Sequence, residues 1–326
     1  MKQKISIITP VYNESDNIDL YYSRISKSID AFSDRYDFEI ILTDNCSKDD
    51  TFEKASKIAD RDPRVHVIRF SRNYGYQLSI LTGYKHATGD AAIEFDCDLQ
   101  DPPELLVRFI EAWEAGAQIV YGVRRTRKEG MAIQFLRKSY YRILRAIADH
   151  DLPVDSGDFM LLDRKVLDVL KTIEDPDVYI RGVVFSLGFN RTPVSYDRAP
   201  REHGVSKFNL AKLLRLAFDG FFSQSSLPLK LSGYAALFLW FLTVLTLPVY
   251  AVLKVVTGTD WPPGFATLIS FLLFQTGMNA FFFYILGSYL LRLYRQTQFH
   301  GRVIVNEYVG SATVDLTDGS NKRTFD

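Results

Sequence analysis

Residues 91–104 read AAIEFDCDLQDPPE, and this stretch decides how the chain is interpreted. Its first half is a compact apolar run with the length of a buried strand. Asp96 and Asp98 leave that strand two positions apart, so regular strand geometry predicts that both side chains point to the same face. Two carboxylates placed together repel each other unless a cation lies between them, and such oxygen ligands suit Mg²⁺ or Mn²⁺. The stretch therefore predicts a strand that ends in a metal site, with Gln100 as a neutral ligand.

Strand-like and helix-like patterns alternate on both sides of this stretch. Short apolar runs, which suit buried parallel strands, occur at residues 5–8, 38–42, 65–70, 91–95 and 118–123. Helical patterns occur at residues 51–61, 77–88 and 103–115. This alternation predicts a doubly wound, mostly parallel α/β sheet. Because ligands bind beyond the carboxyl ends of the strands in such sheets, the residues that follow each strand are the candidates for chemistry.

Four polar segments hold the candidate residues, and we place each of them after a strand. They are residues 9–14, 43–51, 95–104 and 155–161. No phosphate loop of the GxGxxG or GxxxxGK[ST] type is present, so a metal ion would have to hold the phosphates of a ligand. The missing glycine pattern also disfavours a redox dinucleotide-binding protein. Simpler interpretations remain open, since Asp44 could cap a helix and Asp158 could be a turn residue.

The composition narrows the class of protein. The 326 residues carry 39 Lys+Arg and 39 Asp+Glu, so the formal net charge is +0, unlike that of a typical nucleic-acid binder. Acidic side chains crowd the first hundred residues, whereas basic ones cluster at residues 124–145 and 198–215. Cys46 and Cys97 have no CxxC or histidine-rich context, which predicts reduced thiols and no zinc site. The amino terminus lacks a signal-peptide pattern, which predicts a cytoplasmic first domain.

Two long apolar stretches predict a transmembrane hairpin. Residues 231–256 and 265–291 each exceed the ~20 residues that cross a bilayer as a helix. Basic residues flank the pair on both outer sides and are absent from the turn between them, so both ends are expected in the cytoplasm. Basic amphipathic patterns at residues 133–148 and 209–222 precede the hairpin. The first fits an interfacial or an ordinary surface helix equally, whereas the second favours an interfacial helix.

The chain is therefore predicted to have four segments. These are a cytoplasmic catalytic domain (residues 1–208), an interfacial helix (209–226), the transmembrane hairpin (227–292) and a cytoplasmic tail (293–326). A strand-like run at residues 302–305 of the tail could pair with another copy of the chain. That run favours a homo-oligomer, for example a tetramer.

The combined pattern resembles the family 2 glycosyltransferases with the GT-A fold. Within them it is similar to the polyprenyl-phosphate glycosyltransferases, which include bactoprenol glucosyltransferases and dolichyl-phosphate mannose synthases. The resemblance covers roughly residues 5–207 by motif, and the hairpin extends it towards the bactoprenol type. It implies a metal-dependent enzyme of the bacterial inner membrane that moves glucose from UDP-glucose to undecaprenyl phosphate. The product would be a lipid-linked sugar donor, as used in modifying lipopolysaccharide O-antigen.

The resemblance also implies roles for individual residues. The nucleotide-sugar would contact Pro10, Tyr12, Glu14, Asp44 and Asp96. The metal ligands would be Asp96, Asp98 and Gln100. The catalytic residues would be Asp98 and Asp158, with Asp158 facing the sugar. Phosphates of the acceptor would meet Arg124, Arg201, Ser206 and Lys207.

The sequence departs from the family pattern at three positions. Asn45 and Cys46 stand where the family usually has Asp and Gly, which weakens the prediction of that loop. Tyr76 replaces a lysine often found after the sequence RNYG of residues 72–75, so the role of that position is open. The absence of a QxxRW motif argues against the processive polysaccharide synthases.

The expected reaction is a single displacement at the anomeric carbon, with inversion. A lipid phosphate has its second pKa near ~6 and is mostly dianionic at pH 7, so it needs no general base. A hydroxyl acceptor would need one, and Asp158 is accordingly either a base or a positioning group. Alternatives are a lipid hydroxyl acceptor such as diacylglycerol, a GDP-mannose or UDP-amino-sugar donor, and a catalytically idle membrane adaptor.

Overall fold

The computed structural model describes residues 2–124, 156–176, 178–197, 264–297 and 303–310, with single residues between 234 and 256. The strands are β1 (Gln3–Val11), β2 (Tyr36–Asp44), β3 (Val65–Phe70), β4 (Ala91–Glu94), β5 (Ile119–Arg124), β6 (Ser156–Asp163), β7 (Arg191–Tyr196) and β8 (Val305–Val309). The helices are α1 (Ile18–Asp30), α2 (Thr51–Ala59), α3 (Tyr76–His86), α4 (Leu106–Glu114), α5 (Arg164–Lys171), α6 (Ile180–Ser186) and α7 (Phe265–Thr297). A 3₁₀ turn at Pro103–Leu105 leads into α4.

The described strands form one sheet in the order β7-β5-β6-β4-β1-β2-β3-β8. The run from β3 to β4 is parallel throughout, so the ends of β1, β2 and β4 meet at one edge. Strand β6 runs antiparallel between β4 and β5, and β7 is parallel to β5. The predicted doubly wound α/β sheet is confirmed.

Helices cover both faces of the sheet, which is why its strands are continuous apolar runs. The core on one face joins α1, α2 and α4 to the sheet, and the core on the other joins α3, α5 and α6. The pleat of β1 divides Ile7 and Ile8 between the two cores, and each fully buried side chain contributes about 1.5–3 kcal/mol. A Cβ at Gly83 would collide with the Ile8 side chain, so glycine allows α3 to lie close against β1.

Two segments differ from their predictions. Residues 155–161 were expected to follow a strand, but Ser156–Asp163 is itself a strand, because the apolar run of residues 159–162 is buried inside the sheet. The strand of the tail begins at Val305 rather than at residue 302. It pairs antiparallel with β3 of the same chain and supplies the hydrogen-bonding partner that this edge of the sheet requires.

Helix α7 belongs to a separate unit and is described by itself. It confirms the predicted helical character of residues 265–291, and many of its large apolar side chains are exposed, including Phe271, Phe283 and Tyr284. Within the described ranges, no helix meets the length and apolarity expected of a bilayer span. The predicted segments at residues 133–148, 209–226 and, apart from single residues, 231–256 lie outside the described part of the chain.

Candidate active site

The carboxyl edge of the parallel strands forms the candidate active site. Loops follow β1, β2 and β4 there, and each contains a non-glycine residue with left-handed backbone: Asn13 (φ 54°), Cys46 (φ 60°) and Leu99 (φ 55°). Such backbone costs about 1–3 kcal/mol per residue and persists only where the surroundings enforce it. Since glycine adopts it freely, the conformation of Cys46 accounts for the glycine usual at this position in the family that the sequence resembles.

Hydrogen bonds join the loops after β1 and β2. Asn13 N donates to Ser47 Oγ at 3.0 Å, and Lys48 N donates to Asn13 Oδ1 at 2.8 Å. Glu14 N donates to Thr51 Oγ1 at 2.8 Å, where α2 begins. The two loops therefore form one hydrogen-bonded rim.

Three predicted nucleotide-binding residues lie at this rim. Pro10 is buried in β1, whereas Tyr12 and Glu14 are partly exposed in the loop that follows. Glu14 Oε2 accepts from Asn17 Nδ2 at 2.6 Å, which directs the carboxylate towards the start of α1. Tyr12 and Glu14 are therefore accessible to a ligand, and Pro10 shapes the strand beneath them.

Asp44, a fourth predicted nucleotide-binding residue, ends β2 and is fully buried. Its two oxygens accept from Ser47 N at 3.2 and 3.4 Å, and Arg69 Nε lies 3.6 Å from Oδ2. The Arg69 guanidinium lies 4.2 Å from the centre of the Phe52 ring. Burial raises the pKa of Asp44, and Ser47 and Arg69 oppose that shift. In this structure Asp44 organises the loop after β2, which is the turn role that Asp often takes.

The segment after β4 carries the predicted metal ligands. Its burial alternates, with Phe95, Cys97 and Leu99 buried and Asp96, Asp98 and Gln100 partly exposed. The strand geometry expected here is wrong, because β4 ends at Glu94 and the chain turns. Burial nevertheless alternates every second residue, as in a strand. The predicted ligands are therefore the partly exposed residues of this segment, which a substrate can reach. Gln100 N donates to Asp98 Oδ1 at 3.2 Å and stabilises the turn.

These residues fit a hard divalent cation that shares its ligands with a substrate. Asp96 and Asp98 offer carboxylate oxygens and Gln100 an amide oxygen, and Mg²⁺ is commonly held by one or two carboxylates together with phosphates. Across the described ranges, no group of three or more His, Cys, Asp or Glu side chains is placed to hold a metal.

Tyr76 and Glu94, which were not predicted as site residues, adjoin Asp96. The Tyr76 hydroxyl donates to Asp96 Oδ1 at 2.8 Å and lies 3.3 Å from Glu94 Oε1. Although Tyr76 is 41% exposed, Glu94 is only 1% exposed. Burial raises the pKa of Glu94 well above its usual value, and the carboxylates of Asp96 and Asp158 raise it further. A carboxyl group whose pKa is raised therefore lies beside a predicted metal ligand.

Asp158 lies in β6 and faces α3. Its neighbour Phe159 joins the core on the α1 face, so the pleat directs Asp158 to the opposite face. There Gln77 Nε2 donates to Asp158 Oδ2 at 3.2 Å, and Gln77 Oε1 accepts from Ile180 N at 2.9 Å. Asp158 Oδ1 is buried and has no hydrogen-bond partner among the residues that the structure describes.

Arg124, predicted to bind phosphate, ends β5 within a polar cluster. Its Nε donates to the Tyr196 hydroxyl at 3.2 Å, and its Nη2 lies 3.7 Å from Asp101 Oδ2. The Tyr196 hydroxyl also donates to Asp101. Burial alone would lower the pKa of Arg124, but Asp101 and Tyr196 raise it overall. A Cβ at Gly157 would lie 2.9 Å from Nη2, so glycine leaves room for the guanidinium. Arg124 thus ties β5 and β7 to the loop after β4.

The structure brings some of the predicted residues together and leaves others apart. Asp96, in the segment after β4, and Asp158, in β6, both contact the first turn of α3, whereas Asp44 is enclosed in the loop after β2. The predicted acceptor residues Arg201, Ser206 and Lys207 lie outside the described residues. Glu94 was missed although an acid that ends an apolar strand was a usable indication. Nothing in the sequence pattern indicated Gln77, because its partners are distant along the chain.

Comparison with known proteins places the chain among glycosyltransferases. The sequence profile described as glycosyl transferase family 2 matches residues 6–171. The chain is 36% identical over 309 residues to the uncharacterized glycosyltransferase YkcC of Bacillus subtilis (strain 168), and the alignment covers 94% of both chains. It is 31% identical over 305 residues to the bactoprenol glucosyl transferase of Shigella phage SfX, covering 93% of this chain and 98% of the relative.

A solved structure is similar at lower identity. It is the mannosyltransferase PcManGT from Pyrobaculum calidifontis, in complex with GDP-Man and Mn²⁺. It aligns with a TM-score of 0.44 and 18% sequence identity, over 90% of this chain and 88% of its own.

Proposed function

Because the chain belongs to glycosyl transferase family 2, we propose that it transfers a hexose from a nucleotide-sugar to the phosphate of a polyprenyl lipid. The favoured donor is UDP-glucose, and the favoured acceptor is undecaprenyl phosphate. Similarity to a bactoprenol glucosyl transferase over nearly its whole length supports both the hexose and the lipid. The product is a polyprenyl-phosphate-sugar, a lipid-linked donor suited to modifying a surface polysaccharide such as O-antigen.

One observation carries this proposal, namely that Asp96, which follows β4, and Asp158 of the neighbouring strand β6 contact consecutive residues of α3 where the parallel strands end. Asp96 contacts the Tyr76 hydroxyl, and Asp158 contacts the next residue, Gln77. A nucleotide-sugar whose diphosphate lies at Asp96 and Asp98 would extend its sugar towards Asp158. Ligands of open α/β sheets bind at this edge.

Asp96, Asp98 and Gln100 would hold Mg²⁺ or Mn²⁺ together with the donor diphosphate. When bound, the ion supplies a Lewis acid that stabilises the negative charge growing on the leaving diphosphate. The residues around it have the complementary task of keeping the two carboxylates in place. The Tyr76 hydroxyl does so for Asp96, and the backbone N–H of Gln100 does so for Asp98.

The transfer is a single displacement. A phosphate oxygen of the lipid attacks the anomeric carbon while the bond from that carbon to the diphosphate breaks, so the configuration inverts and the nucleoside diphosphate leaves. The phosphate is mostly dianionic at pH 7, since its second pKa is near ~6, and no general base is required. Asp158 then orients the sugar, and orientation alone supplies much of the rate in such reactions.

The lipid acceptor requires the enzyme to work at a membrane, with its catalytic domain and both termini in the cytoplasm. The predicted hairpin (residues 227–292) and the interfacial helix (209–226) would hold it there. Exposed aromatic and aliphatic side chains along α7, such as Phe283 at 73% exposure, support contact with lipid. Arg201, Ser206 and Lys207 would meet the lipid phosphate, and the chain is proposed to act as a homo-oligomer.

Product analysis tests the proposal. The purified protein in detergent is incubated with Mg²⁺, undecaprenyl phosphate and radiolabelled UDP-glucose, and the mixture is extracted with organic solvent. We expect label in the organic phase, and none when EDTA is present. Release of the label by mild acid, which cleaves a sugar phosphate but spares an ordinary glycoside, distinguishes a phosphate acceptor from a hydroxyl.

Each other outcome changes a different part of the proposal. Label transferred only from GDP-mannose would replace the donor, and an acid-stable product would replace the acceptor. Transfer that persists in EDTA would contradict the metal. A chain that binds nucleotide-sugars and transfers nothing to any lipid would contradict the proposed reaction.

A further inference from the structure

The two carboxylate oxygens of Asp158 have different surroundings. Oδ2 accepts from Gln77 Nε2 at 3.2 Å. Oδ1 is buried and has no partner among the described residues. An unpaired buried acceptor is unfavourable, so a retained one indicates a position that a hydrogen-bond donor of a ligand completes.

Gln77 has only one amide orientation that satisfies its neighbours. Ile180 N, at the start of α6, donates to Gln77 Oε1 at 2.9 Å. A backbone N–H can only donate, so it fixes the oxygen end of the amide and turns the NH₂ end towards Asp158. Gln77 therefore connects α3, α6 and β6, and it holds Asp158 without occupying Oδ1.

The surroundings of Asp158 indicate which kind of hydrogen-bond donor would suit Oδ1. Asp158 lies in an acidic region, because Asp96 and the buried Glu94 share the hydroxyl of Tyr76, the residue before Gln77. The Tyr76 hydroxyl is directed at Asp96 and not at Asp158. A neutral O–H group satisfies Oδ1 without adding charge, and a sugar presents several such groups.

We propose that Gln77 is a positioning residue that fixes Asp158 so that Oδ1 accepts a hydrogen bond from one hydroxyl of the transferred sugar. The inference rests on the proposed function, because the ligand it names is the sugar of the nucleotide-sugar. It assigns sugar recognition to a contact among three elements that are far apart in sequence. Gln77 itself touches Asp158 and the backbone of α6, and its effect on the reaction passes through Asp158.

Two variants of Gln77 and one matched control test this inference. Gln77→Glu keeps an acceptor for Ile180 N and removes the donor to Asp158. Gln77→Met removes both contacts. The control is Gln118→Met, which deletes an amide oxygen that accepts from Asn190 N at 3.2 Å. Gln118 immediately precedes β5, so it lies at the opposite end of that strand from Arg124. Thermal unfolding of all three identifies any variant that fails to fold.

The informative measurement pairs these variants with UDP-glucose and its 2-, 3-, 4- and 6-deoxy analogues. In the native enzyme, we expect one analogue to lose about 100-fold in kcat/KM, because it leaves Oδ1 unpaired. With UDP-glucose, both Gln77 variants should lower kcat by about 10- to 100-fold, since a misplaced group of this kind costs that much. In the Gln77 variants, the loss of kcat/KM for the same analogue should shrink to a few-fold, because the sugar hydroxyl no longer bonds to Asp158 Oδ1. Gln118→Met should match the native enzyme throughout.

Equilibrium binding separates this inference from the proposed function. The ratio of the Kd for UDP to the Kd for UDP-glucose measures the contribution of the sugar without any lipid acceptor, and both Gln77 variants should reduce it. A chain that shows this reduction but transfers no sugar to polyprenyl phosphate would contradict the acceptor and leave the inference intact. Equal deoxy penalties in the native and Gln77 enzymes, or a native ratio near one, would overturn the inference.

Discussion

Two buried glutamates, on the two strands that flank β1 and two residues apart in register, show how differently this fold treats its charges. Glu39 lies near the beginning of β2 and is 2% exposed, and Glu94 ends β4 and is 1% exposed. Hydrogen bonding lowers the pKa of Glu39 despite the opposing effect of burial, whereas burial and neighbouring carboxylates raise the pKa of Glu94. The same side chain, equally buried, thus has a lowered pKa at one position and a raised pKa at the other.

The partners explain the difference. Lys4 Nζ lies 2.6 Å from Glu39 Oε2, and Ser6 Oγ donates to Oε1 at 2.5 Å. Thr88 donates to both oxygens, through N and Oγ1, each at 2.7 Å. Glu94 instead has a shared tyrosine hydroxyl and carboxylate neighbours. The partners of Glu39 stabilise the fold, whereas the surroundings of Glu94 keep unfavourable charge where a cationic metal and a substrate would relieve it.

The largest change in activity is expected at Asp98, a predicted metal ligand in the acidic region near Glu94. Asp98→Asn should lower kcat/KM by about 1000-fold or more, because the metal and diphosphate lose a charged ligand. The unfolding temperature should stay the same or rise, since a carboxylate is removed from an acidic region. Transfer assays and thermal unfolding check the two statements. Normal turnover in this variant would refute the metal assignment.

Glu39→Gln should destabilise the fold, because it alters the glutamate whose partners stabilise it. It should lower the free energy of unfolding by about 2 kcal/mol. The ion pair with the partly exposed Lys4 is lost, and one of the two buried acceptor oxygens of Glu39 becomes an NH₂ group that cannot accept. The folded pKa of Glu39 is below its usual value of 4.5, so its stabilisation is complete above pH 4.5 and is lost as the pH falls through the folded pKa. Urea titrations at pH 7 and below pH 4 measure this change.

The control for that variant is its catalytic rate. Glu39 lies away from the carboxyl edge, so kcat per folded molecule should match that of the native enzyme. A drop in kcat with unchanged stability would contradict the assignment of a purely stabilising role to Glu39.

Tyr76→Phe removes the hydroxyl that holds Asp96. We expect kcat/KM to fall by about 10-fold, the size of one charged hydrogen bond, with little change in stability. Tyr74→Phe is the matched control, because its hydroxyl lies 3.1 Å from Ser71 Oγ in the preceding loop and contacts none of the candidate site residues that the structure describes. Equal rates in the two variants would show that Tyr76 has no positioning role.

Glu94→Gln should give the smallest effect, and its sign is opposite to that of Glu39→Gln. Glutamine stays neutral, so the variant should gain about 1 kcal/mol of stability at pH 7, or about 2–4 °C in Tm. The folded pKa of Glu94 is raised, so its stability contribution is full below pH 4.5 and is lost as the pH rises through the folded pKa. The gain should therefore vanish below pH 4.5. A loss of stability at pH 7 would show that Glu94 is ionised in the folded protein.

Much of the fold followed from local pattern. The apolar runs predicted five strands correctly because strands covered on both faces contain few polar residues. The resemblance to family 2 glycosyltransferases is confirmed by the family match and by relatives over most of the chain. Strand β6 was not predicted, because residues 155–161 were expected to follow a strand, and their polar start gives no alternating strand pattern.

The sequence by itself determined the α/β alternation, the acidic segment of residues 95–100 and the family, because these depend on spacing along the chain. Only the tertiary structure decided the surroundings of the charges. Asp44 and Glu94 both end parallel strands, yet one lies 3.6 Å from Arg69 and the other beside further carboxylates. Hydrogen bonds and Coulomb interactions act over a few ångströms in space, whatever the separation along the chain. The partner of a buried acid, and hence its charge, is therefore set by which strands and helices the fold places side by side.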